Sequence, residues 1–114
     1  MTDTSGITQA DRAWWQRRAA AELGSILHQN PDLACIGWTV GPAGSVLAGH
    51  VNGLAPAAQV RAVFDSWRHA LVLEDYREHR GGGGTAFLHA AARRDQVKIR
   101  LTATVFGDEP EAGP

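Results

Sequence analysis

Residues 85–106, TAFLHAAARRDQVKIRLTATVF, form two runs in which apolar and polar side chains alternate, with Arg94-Asp95 between them. A period of two is the signature of a strand with one buried face, and the short polar interruption makes the pair a hairpin. Opposing Ala92 with Val97 also pairs Ala90 with Ile99, Leu88 with Leu101 and Ala86 with Ala103 on one apolar face. The other face then carries Phe87, His89 and Ala91 against Thr102, Arg100 and Lys98, with Thr85 and Thr104 at its end.

Upstream, the chain repeats this logic once. Leu33–Val40 reads as a strand and Ser45–Val51 as its antiparallel neighbour across Gly41-Pro42-Ala43-Gly44. If Val40 opposes Ser45, then Trp38 pairs with Leu47, Ile36 with Gly49 and Ala34 with Val51. Cys35 then stands across from His50 on the opposite face. A helix precedes each hairpin. The first runs from about Asp11 to His28, opened by Thr8 and Asp11 and closed by Asn30-Pro31-Asp32, with Trp15, Ala19, Leu23, Ile26 and Leu27 as its apolar stripe. The second starts near Pro56 and runs to about Leu73, with Val60, Val63, Phe64, Trp67, Ala70 and Leu71 inward; EDYREHR extends it by a turn or two. Gly81–Gly84 is a flexible connector, and its lack of a lysine and of a following helix separates it from a phosphate-binding loop.

The expected fold class is therefore α+β in the order α-β-β-α-β-β: a two-layer sandwich with two helices packed on one face of a mostly antiparallel four-stranded sheet. Residues 1–7 are expected to be a disordered leader, 8–106 a single domain and 107–114 a disordered acidic tail. The strand order stays open, because either hairpin can meet the other through either edge.

Composition limits the function classes. Eleven Lys plus Arg against twelve Asp plus Glu leave a net charge of −1 in 114 residues, so no global field draws the chain to nucleic acid or an anionic membrane; such binding needs a local patch. Lys98 is the only lysine, and this arginine bias with abundant alanine and glycine fits a GC-rich bacterial coding sequence. A single cysteine, Cys35, rules out an internal disulfide and a cysteine-rich metal site. The start has no signal-peptide pattern and no apolar run reaches membrane length, so a cytoplasmic protein without membrane contact is expected. The five histidines show no helical pair, which gives no metal site, and no cofactor is expected.

The open sheet face draws most attention, since it carries Cys35, His50, Phe87, His89, Lys98 and Arg100 and no carboxylate. Three uses follow. Its small residues suit self-association, giving a homodimer that acts as a non-catalytic protein-interaction or regulatory module, with Trp14 beside Arg18 as a further interface pair. Alternatively, Lys98 and Arg100 contact phosphate while Phe87 and His89 stack on bases, as on single-strand platforms. Third is a small ligand-binding protein or enzyme around His50 and His89, with Cys35 activated by His50.

Overall fold

The computed structural model describes residues 9–41, 46–94 and 97–107. The expected leader, the Thr8 cap, residues 42–45 and 95–96 of the expected turns and the expected tail from 108 onward lie outside these residues. In chain order the elements are α1 (Gln9–Gln29), β1 (Gly37–Val40), β2 (Val46–Val51), α2 (Ala57–Ala70), β3 (Asp75–Arg80), β4 (Ala86–Arg94) and β5 (Val97–Val105). They build an α+β fold of two helices and one five-stranded mixed sheet, ordered β1-β2-β5-β4-β3. Adjacent strands are antiparallel except β2 and β5, which run parallel.

Two expectations are corrected here. The sheet has five strands because EDYREHR does not prolong the second helix: Asp75–Arg80 forms β3, an edge strand paired with β4. α2 stops at Ala70 because Val72 turns left-handed (φ 53°) and Leu73 N–H reaches back to Arg68 O at 3.0 Å, a helix-ending loop. The tetraglycine is consequently a β3–β4 turn, not a helix-to-strand connector. Gly81 N–H donates to Thr85 O at 2.9 Å, and Gly83 and Gly84 take φ of 69° and 76°, which side chains with a Cβ resist.

Both hairpins are displaced by two residues from the expected register. Val40 lies opposite Leu47, Trp38 opposite Gly49, and Gly37 opposite His50; Ala92 lies opposite Ile99 and Ala86 opposite Val105. A slip of two preserves every side chain's face, so the division into core and open sides survives. Gly49 illustrates why the first hairpin settles this way. The Trp38 ring lies over it so closely that a Cβ there would come 2.8 Å from the ring.

One apolar cluster joins the helices to a single side of the sheet. Ala19 and Ile26 of α1 and Val60, Phe64 and Trp67 of α2, with Leu71 just beyond it, meet Leu47, Val51, Leu88, Ala90, Ile99 and Leu101. Trp38 and Trp67 pack edge to face at 5.6 Å, and the Trp67 indole N–H donates to Ala34 O at 2.8 Å. Trp15, expected on the apolar stripe of the first helix, is not part of this cluster and packs on Trp14 at 4.8 Å. Leu27 is 46% exposed, not part of the stripe, because α1 buries only Ala19 and Ile26 completely. None of the described helices is long and apolar enough to cross a membrane.

Candidate functional site: the open face of the sheet

Among the described residues, no helix covers the strands' second side. The pairings set its residues in cross-strand rows. His79, Phe87 and Thr104 form the first row, and Arg77, His89, Thr102, His50 and Gly37 the second. Asp75, Ala91, Arg100, Ala48 and Thr39 make the third, with Arg93, Lys98 and Val46 the fourth. Alternation accounts for the placement: β5 reads buried at Val97, Ile99 and Leu101 and open at Lys98 and Arg100, a pattern set by the helices covering one side alone.

Of the residues singled out in the sequence, His50, Phe87, His89, Lys98 and Arg100 do share this face. Cys35 does not. It precedes β1, is exposed, and lines a cavity of ≈160 Å³ with Val51, Gln59, Val60 and Val63 on the helix side. The register slip leaves Gly37, not Cys35, opposite His50, so the thiol–imidazole pair does not exist. His50 instead places Nδ1 2.9 Å from Thr102 Oγ1, and His89 is the register partner of the same threonine on its other side. Trp14 is 48% exposed on α1. Arg18, on the same helix, is partly buried.

Sequence reasoning put Asp75, Arg77 and His79 on an extension of the second helix and grouped Arg77 with Arg93 at the hairpin tip as a separate basic spot, so none of the four was assigned to this face. The first three came with β3, whose strand character was hidden. The alternation in DYREHR is charge against charge, and only Tyr76 is substantially apolar. Arg93 joins the face because the longer register puts it inside β4, opposite Lys98.

The face is thus electropositive. Arg77, Arg93, Lys98 and Arg100, four of the chain's eleven cations, lie on it with His50, His79 and His89, against one carboxylate among the described residues, Asp75. Asp75 is itself paired with Arg77 (3.4 Å). Asp11, Glu22, Asp32, Asp65, Glu74 and Glu78 all fall on helices, loops or the helix-facing side of β3. At one end, Asp75, Ala91, Arg93 and Lys98 border an open hollow of ≈270 Å³. At the other, the Phe87 and His79 rings stack at 6.2 Å and 28°. No group of three or more metal-ligating side chains occurs among the described residues.

No protein-family model matches the chain, and a search of curated proteins finds no significant match.

Proposed function

We propose that this protein is a non-catalytic binding module whose open sheet face receives an extended polyanion. The observation that carries this reading is the separation of charge. A chain of net charge −1 gathers four permanent cations and three histidines on one uncovered face and sets all but one of its described carboxylates elsewhere. Local fields of this kind raise the concentration of an oppositely charged partner even when the global charge is near zero. Face-to-face self-association is the less favoured use of the same surface, since a symmetric pair would bring like charges together in a desolvated interface. Titration with heparin and with single-stranded DNA tests the reading. The logarithm of the affinity should fall linearly with the logarithm of salt concentration, with a slope reflecting several phosphate or sulfate contacts. Affinity indifferent to salt would count against it.

A homodimer is a second, compatible reading, carried by the sheet's edges. β3 ends the sheet on one side with Asp75, Arg77, Glu78 and Arg80, charges that discourage pairing. β1 ends it on the other with Gly-Trp-Thr-Val, short and uncharged. A groove of ≈490 Å³ between α1 (Ala13, Gln16, Arg17, Ala20) and Val40 continues that edge. Two copies joined at β1 would form one continuous sheet and leave both cationic faces free. Light scattering should then give twice the monomer mass, and Thr39→Lys should return the monomer. A wild-type monomer at all concentrations would remove the dimer without touching the polyanion site.

A further inference from the structure

We infer that the polyanion is single-stranded nucleic acid, one base of which stacks on a shelf made by Phe87 and His79; this rests on the polyanion reading of the open face. Phe87 is 44% exposed on a face that, apart from Asp75, is built from cationic, imidazole, hydroxyl and small side chains. Its cross-strand partner is His79, and their rings lie side by side at 6.2 Å, inclined by 28°. A sulfated or phosphate polymer without aromatic rings has no π-face to lay on such a platform, and a duplex keeps its bases within its own stack. A single strand presents base faces to exposed aromatic side chains. The turn beside the shelf leaves room for one. A Cβ on Gly82 or Gly83 would meet nothing within 4 Å, and the missing Cβ of Gly81 leaves space for the Phe87 ring, whose Cε2 lies 3.1 Å from where that Cβ would stand.

The rest of the face supplies a path away from the shelf. From Phe87 to Arg93 is six residues along β4, about 20 Å at strand rise. Between these ends lie His89 on the same strand and Arg100 and Thr102 on β5. The path ends at the hollow bordered by Arg93 and Lys98, where the Asp75 carboxylate is drawn off by Arg77. A track of that length suits about four nucleotides, the short end of single-strand platforms. Thr102 and His50, already hydrogen-bonded to one another, offer a hydroxyl and an imidazole to a base edge or a ribose hydroxyl beside it.

Fluorescence anisotropy with a short mixed-sequence single strand, as DNA and as RNA, and with the same sequence as duplex DNA tests the inference, heparin serving as competitor. The single strand should bind at least about tenfold more tightly than the duplex. Phe87→Leu keeps apolar bulk and loses the ring, so it should weaken single-strand binding by about tenfold while leaving the salt slope and heparin competition unchanged. Phe87→Tyr should restore wild-type affinity. Equal affinity for duplex and single strand, or a Phe87→Leu variant that binds as wild type while heparin still competes, would overturn the stacking shelf and leave the polyanion site standing. Failure of heparin and both nucleic acids to bind at low salt would overturn both.

Discussion

Glu78 shows how one residue fastens the strand that completes the open face. Its Oε1 accepts from Arg61 Nη1 and its Oε2 from Arg61 Nη2, both at 3.0 Å, so α2 grips β3 through a bidentate pair. Tyr76 O–H also donates to Oε1 at 3.0 Å, and Arg80 lies 3.3 Å from Oε2. The Arg61 hydrogen bonds above all hold the Glu78 carboxyl below its ordinary range, whereas burial, then Glu78 itself, pushes the Tyr76 hydroxyl up. Tyr76 also lies under the Arg68 guanidinium (4.2 Å) and against Phe64 (5.9 Å). A carboxyl whose folded pKa is depressed stabilises the fold above its unfolded pKa and loses that contribution as pH falls through the folded value. Glu78→Gln should therefore cost roughly 0.5–1 kcal/mol at neutral pH, the range of a well-formed surface pair. In urea melts at successive pH values, this difference should shrink below the ordinary carboxyl value of 4.5. A difference constant down to pH values well below that would show that the charge of Glu78 does not fasten β3.

At the scale of elements, the α2–β3 junction was the hardest feature to read from sequence. Leu71 and Leu73 are buried on either side of Val72, which is 64% exposed and left-handed. A β-branched residue in that conformation gives no signal of helix termination, since glycine or asparagine is the usual occupant. Val72→Gly should relieve the strain without loss of packing and raise stability by roughly 0.5–1 kcal/mol, the local gain being partly offset by glycine's freer unfolded chain. Thermal melting of the variant checks this, and a lowered midpoint would contradict it. The helices and four of the strands were legible, because their apolar periodicities of 3.6 and 2 are imposed by one shared core. β3 was not. As an edge strand it buries little, and its partner β4 lies beyond a turn of four glycines. The parallel contact of β2 with β5 was equally hidden, since a pairing between strands so far apart in the chain leaves no mark on local pattern.

At the scale of the molecule, the division of the sheet into a core side and an open side could be read from alternation alone. It survived register slips of two residues in both hairpins. That is why His50, Phe87, His89, Lys98 and Arg100 were brought together as expected while Cys35, just outside β1, was not. The full strength of the positive field was not legible, because Arg77 and His79 reach the face only through β3 and Arg93 only through the longer β4. The central claim is that this face, and not cationic side chains in general, binds the polyanion. Single-strand affinity measured across a range of salt for the Arg77→Ala, Lys98→Ala, Arg100→Ala triple variant, beside Arg12→Ala on exposed α1, tests it most directly. The triple variant should lose affinity and lower the salt slope by roughly one per contact removed, while Arg12→Ala should leave both unchanged. Equal losses in the two variants, or none in the triple variant, would contradict it.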